Sequence, residues 1–138
     1  MHRPEPIEKE YELRDEDFIV SKTDQRGVIT YVNRAFMDLA KYSESELIGK
    51  PHSLVRHPDM RKVAFKGLWD TVKLGEEWHG IVKNLAKDGA YYWVDATVTP
   101  SYHDGEIVGY MSVRRKPTRD QIDSASELYK QLISEEGK

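Results

Sequence analysis

Two Asp-Gly pairs, Asp88-Gly89 and Asp104-Gly105, constrain this chain more than any other feature. Each sits between runs rich in β-branched and aromatic residues: "EWHGIVKNLAK", "AYYWVDATVTPSY" and "EIVGYMSVRRK". Asp-Gly supplies the positive backbone angles that a tight hairpin needs, so consecutive runs joined this way fold back on each other. The sequence therefore predicts a three-stranded antiparallel meander over its second half. An earlier pair of short β-rich runs in "FIVSKTDQRGVITYVN", residues 18 to 33, turns at Gly27 and predicts another hairpin.

Between the two β regions the hydrophobic spacing changes to that of helices. "NRAFMDLAKYS" puts Phe36, Leu39 and Ala40 on one face, and Ser43 with Glu46 in "SESELIG" forms a capping box for a short helix stopped by Gly49 and Pro51. In "HPDMRKVAFKGLWDTVKLG", Asp59 reads as the N-cap of a longer helix whose Val63, Ala64, Leu68 and Val72 face inward. The order of two strands, short helices, one longer helix and three strands predicts an α+β domain, with five strands in one sheet and helices over one face. Residues 1–17 are charged and read as a weakly ordered arm that caps the domain's edge, and 18–117 as the domain itself. Residues 118–138 read as an amphipathic connector helix, capped by Thr118 and Gln121, with a stripe at Ile122, Ala125, Leu128, Tyr129 and Leu132 that needs a partner.

At 138 residues the chain has room for one modest core, so a ligand must sit within or beside it. Twenty-one basic against 24 acidic residues give a net charge of -3, which argues against a nucleic-acid partner. The chain has no cysteine, which excludes disulfides, thiolate metal sites and a cysteinyl-flavin bond, and is compatible with a reducing cytoplasm. No apolar run approaches the roughly 18 residues of a membrane span, so a soluble chain is expected, and its connector-like end is expected to lead into a larger protein.

The residues open to chemistry cluster in two places. Along the meander's first strand, period-two alternation places Trp78, Gly80, Val82 and Asn84 on one face, and Tyr92, Val94, Ala96 and Val98 share a face of the second. Trp78 either fills the core or stacks on a planar ligand, with Gly80 beside it leaving room for a ring. Asn84 either opens the exposed turn or offers its amide to a heterocycle inside. The second cluster is "GKPHSLVRHPDM", where Arg56, His57 and Asp59 lie within four residues. They form either a capped, solvated helix start or the polar mouth of an apolar cavity, aimed at a phosphate or at a ring's carbonyl edge. Catalysis has weak support, because no serine or cysteine nucleophile has a recognisable partner. His52 and His57, five apart around a loop, make a weak metal site.

These stretches carry a resemblance. The element order, the "VRHPDM" loop, "GIVKN", "YWV" and the "GEIVGYMSVR" strand resemble a PAS sensor domain over about residues 18 to 133, closest to the FAD-binding PAS domains of Aer-type aerotaxis receptors. The resemblance implies a five-stranded antiparallel sheet with helices across one face, holding FAD noncovalently. It implies that Asn33, Arg56, His57, Asp59, Trp78, Asn84 and Tyr92 belong to the cofactor site, with no catalytic or metal-binding residues. It also implies a cytoplasmic redox, oxygen or energy sensor, tethered to the inner membrane where the parent protein is longer, that signals to an output domain of its own chain or of a partner; a PAS–PAS dimer is an open alternative. Light-sensing LOV domains are a related branch, but their adduct cysteine is absent here, Val94 takes the place of their second asparagine, and Arg114 stands about where they use a signalling glutamine. Two rivals remain: a haem-binding gas sensor with His52 or His57 as ligand, and a cofactor-free interaction or dimerisation module in which Trp78 and Tyr92 are core. An enzyme ranks below both.

Overall fold

The structure is a computed structural model that describes residues 4–60 and 62–136. Strand β1 (Ile19–Asp24) turns into β2 (Ile29–Val32), and then come helices α1 (Arg34–Ala40) and α2 (Glu44–Leu47). A 3-10 turn (His52–Val55) precedes α3 (Lys62–Lys73), which leads into β3 (Trp78–Leu85), β4 (Tyr91–His103), β5 (Glu106–Arg115) and the last helix, α4 (Arg119–Glu136). The strands form one sheet in the order β2-β1-β5-β4-β3, with every neighbour antiparallel. The five-stranded α+β architecture expected from the sequence is therefore present, and its centre is the long-range pairing of β1 with β5.

Local chemistry explains the turns. Between β1 and β2 the Asp24 carboxylate accepts from the backbone N–H groups of Arg26 and Val28, at 2.8 and 3.1 Å, while Gly27 takes a positive φ of 84°. At the β4–β5 turn both Asp104 (φ 51°) and Gly105 (φ 81°) are left-handed, the pattern of a type I′ hairpin. The expected capping boxes both form: Ser43 with Glu46 at α2, and Thr118 with Gln121 at α4. Leu68 and Val72 of α3 face inward, whereas the side chains of Val63 and Ala64 lie outside the described residues. Asp59, expected to cap α3, directs its carboxylate to Lys83 on β3, 3.0 Å away; residue 61, at the start of that helix, lies outside the described residues.

The main core lies between the sheet and the short helices, around Ile19, Phe36, Leu47, Val55, Tyr92 and Val94. A second apolar cluster, Leu68, Val72, Val98 and Tyr110, lies under α3. The opposite sheet face is covered at one end by residues from both termini. Ile7 and Tyr11 donate backbone hydrogen bonds to Gly89 and Tyr91, and Leu13 is buried. On α4, Ile122 is buried, Tyr129 stacks on Trp93 at a ring separation of 6.3 Å, and the Tyr129 hydroxyl donates to the Ile81 carbonyl at 2.7 Å. Arg119 ties the two terminal segments together through both carboxylate oxygens of Glu10, at 3.1 and 3.2 Å.

β3 is an edge strand, and both halves of its outer edge are occupied. Tyr129 takes the Ile81 carbonyl, and the loop after the 3-10 turn takes the rest: His57 N–H donates to Lys83 O at 3.3 Å, and Arg56 forms a β-bridge with Asn84.

Candidate functional site

Between the inner sheet face and the 3-10 turn and α3 lies a cavity of about 140 Å³. Period-two alternation puts Trp78, Val82 and Asn84 of β3 on its wall, together with Ala96 and Val98 of β4 and Tyr110, Ser112 and Arg114 of β5. Phe65, Leu68 and Trp69 of α3 face them, and His52, Ser53 and Arg56 close the side of the 3-10 turn. A cavity of roughly 150 Å³ holds a molecule the size of benzene. Apolar walls with a few converging polar groups are the usual composition of a small-molecule site.

The polar groups are unusual for a protein interior. Arg114 is 2% exposed, its Nη2 donates to Ser21 Oγ at 2.8 Å, and its guanidinium carbon rests 4.5 Å from the Phe36 ring centre. Ser21 Oγ is in turn 3.0 Å from His52 Nε2, and the His52 ring stands edge-on to Phe36. Burial lowers the His52 pKa to about 3, assisted by the Arg114 charge, so this imidazole is neutral over the physiological range. Burial also lowers Arg114 to about 10, which leaves it charged at neutral pH, and raises the Tyr92 hydroxyl to about 12 against the opposing pull of Arg114. Arg114 Nε and Nη1, Asn84 Nδ2, Thr23 Oγ1 and the Tyr92 hydroxyl are buried without a hydrogen-bond partner. Tyr92 stands opposite Asn84 across β3 and β4, and the two side chains influence each other without completing a hydrogen bond. An unpaired buried polar group costs about 1–3 kcal/mol, so several in one region mark a place for ordered water or a ligand.

The seven residues singled out from the sequence fall into two groups. Arg56, Trp78 and Asn84 converge on the cavity, with Arg56 lying over the Phe65 ring at 5.3 Å. Asn33, His57, Asp59 and Tyr92 lie outside its lining. Asn33 caps α1 and ties it to β1: its carbonyl oxygen accepts from Phe36 and Val20 N–H, and its amide donates to Phe18 O at 2.8 Å. His57 is buried against Tyr91, its Nδ1 accepting from Asp59 N–H at 3.0 Å. Tyr92 is fully buried behind the wall. Gly80 does leave room for a ring, and the ring that takes it is the indole of Trp78, which an added Cβ at position 80 would strike.

Sequence reasoning missed the chain Arg114–Ser21–His52 as part of the site. Its signals were Arg114 at the place of the LOV signalling glutamine and His52 as a weak metal or haem ligand, and neither was joined to the other or to Ser21. Among the described residues no three His, Cys, Asp or Glu side chains gather as metal ligands.

Comparison with known proteins narrows what this arrangement is. The family described as PAS fold matches residues 29–114. The chain is 46% identical over 120 residues to the aerotaxis receptor of Escherichia coli (strain K12), covering 87% of this chain and 24% of that protein. It is 32% identical over 97 residues to the nitrogen fixation regulatory protein of Klebsiella pneumoniae, covering 70% of this chain and 20% of that one. This chain thus spans only a fifth to a quarter of those relatives. Among solved structures, a PAS domain from Colwellia psychrerythraea superposes with a TM-score of 0.68 at 25% identity, over 74% of this chain and 87% of that one. A light-oxygen-voltage domain studied with a flavin analogue gives 0.68 at 21% identity, over 83% and 87%, a likeness of fold.

Proposed function

This chain belongs to the PAS-fold family, and from that premise we propose that it is a sensor domain that binds FAD noncovalently between sheet and helices and reports redox, oxygen or energy state to a chemotaxis-type output. The observation that carries this reading is the set of unpaired buried donors, Asn84 Nδ2 and Arg114 Nε and Nη1, facing an apolar, aromatic-walled cavity. A flavin ring offers flat apolar faces and an edge of carbonyl and ring-nitrogen acceptors, and these residues fit such a group. The enclosed space matches a single ring, so a larger ring system enters by displacing aromatic lining. Trp78, at the start of the edge strand and lying over a glycine, is the side chain suited to swing.

A bound flavin would supply electron and proton exchange; the protein supplies binding and electrostatics. Asn84 and Arg114 would hold the polar edge, Trp78 and the aromatic residues of α3 would exclude water, and Arg56 would guard the side of the loop. Asp59 and His57 serve the site by holding that loop on β3, through the Asp59–Lys83 ion pair and the His57–Lys83 backbone bond. Asp59→Lys is then expected to speed flavin release by about fivefold, the worth of a partly exposed ion pair of roughly 1 kcal/mol. Adding Lys83→Asp should restore most of the retention, whereas direct contact of Asp59 with the ligand would give no rescue. We assign residues 1–17 as a cap, 18–117 as the sensor and 118–138 as the connector to output in a longer, cytoplasmic or inner-membrane-tethered protein. Among the described residues no helix is long and apolar enough to cross a membrane.

The deciding test is an absorption spectrum of freshly purified protein, followed by heat release and chromatography of the chromophore. Released FAD, with lower occupancy in Asn84→Ala, is the expected result. An intense Soret band would point to haem instead, although His52 would then have to give up Ser21 and accept iron beside the Arg114 cation. A colourless protein that takes up neither cofactor overturns the sensor reading in favour of an interaction module, for which Trp78 filling its own side of the cavity is the supporting observation.

A further inference from the structure

Arg114 is the one buried arginine or lysine among the described residues, and no carboxylate answers it. The cavity lining contains two arginines, Arg56 and Arg114, and no aspartate or glutamate. Taking a cation out of water costs several kcal/mol even after relaxation. Against that, the protein offers Arg114 one hydrogen bond to Ser21 and the face of Phe36, together worth less than the usual cost of such a burial. The other titratable groups around it add no negative charge: His52 is neutral, and the Tyr92 hydroxyl keeps its proton. The remaining unpaired groups at the cavity, Asn84 Nδ2 and Thr23 Oγ1, can both donate. The inner wall is thus a set of donors around an uncompensated positive charge, fixed in place before any ligand arrives. Such preorganised donors favour the state of a ligand in which negative charge has developed.

Resting on the flavin reading above, we infer that Arg114 sets the charge state the cavity prefers, so that the domain binds the two-electron-reduced flavin as its monoanion more tightly than the neutral oxidised ring. The oxidised ring takes two electrons and one proton from a donor and becomes the monoanion; the neutral reduced ring would need a second proton. The added negative charge is what an unpaired guanidinium recognises and what a neutral asparagine or threonine does not. Tighter binding of the reduced form raises the midpoint potential, by about 30 mV for each tenfold difference in affinity.

The test measures dissociation constants of oxidised and dithionite-reduced FAD, and the midpoint potential, for wild type, Arg114→Lys and Arg114→Met. Wild type should hold the reduced form at least tenfold more tightly. Arg114→Met should lose that preference and fall in potential by about 30 mV or more, with oxidised FAD affected less, while Arg114→Lys keeps most of it. Equal affinity for both states in wild type overturns the inference while leaving the flavin reading intact. So does an Arg114→Met variant that weakens both states alike, the mark of a merely structural role. If Arg114→Met fails to fold, the wild-type affinity ratio alone decides. A wild type that takes up no FAD in either state overturns the functional reading and this inference together.

Discussion

Phe36→Ala is expected to lower stability by about 4 kcal/mol, the cost of truncating a fully enclosed aromatic side chain. Phe36 is 0% exposed and belongs to the main core. It also has a second role, since the Arg114 guanidinium lies over its face and His52 meets its edge. Truncation therefore removes packing and leaves the buried cation with even less to offset its burial, which places this site at the high end of the usual range. A domain of this size has total stability of roughly 5–15 kcal/mol, so the urea midpoint should move far enough to leave the variant partly unfolded on warming. Phe36→Leu keeps much of the volume but not the aromatic face, and should fall between the two. A midpoint for Phe36→Ala within error of wild type would contradict the packing described.

The second large effect is on acid stability, and it belongs to His52. Its folded pKa of about 3 lies below the ordinary value of 6.5. Above pH 6.5 the imidazole is neutral in both states and contributes nothing to pH dependence. As pH falls below 6.5, the unfolded chain takes up a proton that the folded chain refuses, so stability declines, and the decline ends near pH 3 when the folded form also protonates. A full burial penalty would be about 1.4 kcal/mol per pH unit. His52 is half-buried, its ring edge-on to Phe36 and its Nε2 against Ser21, so about 1 kcal/mol per unit is expected, or about 2 kcal/mol between pH 6 and pH 4. Carboxylates held below their usual range, such as Asp17 and Asp88, also destabilise the fold in acid. The informative quantity is therefore the difference between wild type and His52→Gln in urea midpoints at pH 7, 5.5 and 4. Parallel curves would show that His52 titrates normally in the fold.

The elements of this fold were legible from short-range signals. Asp-Gly turns, two capping boxes and period-two alternation act within a few residues, and each appears where the sequence placed it. The Asp59–Lys83 ion pair was not legible, because its partners are 24 residues apart and come close only when the loop lies along β3. The site divided along the same line. Alternation alone places Trp78 and Asn84 on the inward face, and both line the cavity. The Arg114–Ser21–His52 chain depends on the register of β1 against β5, which pairs Ile19 with Arg114 across 95 positions of sequence. No local pattern encodes that register. Nor does composition, since a single buried arginine is lost among 21 basic residues, most of which serve the surface.

The edge strand β3 brings one further consequence. Its outward carbonyls at Ile81 and Lys83 are covered, one by the Tyr129 hydroxyl and the other by the His57 backbone. An open strand edge is a template for pairing with another chain. A chain cut before Arg119 would lose Tyr129 and bare Trp93 together, presenting the unpaired Ile81 carbonyl beside an apolar aromatic surface. The last helix thus guards against strand-to-strand self-association as well as any role it has in output. Displacement of that helix would uncover an adhesive edge.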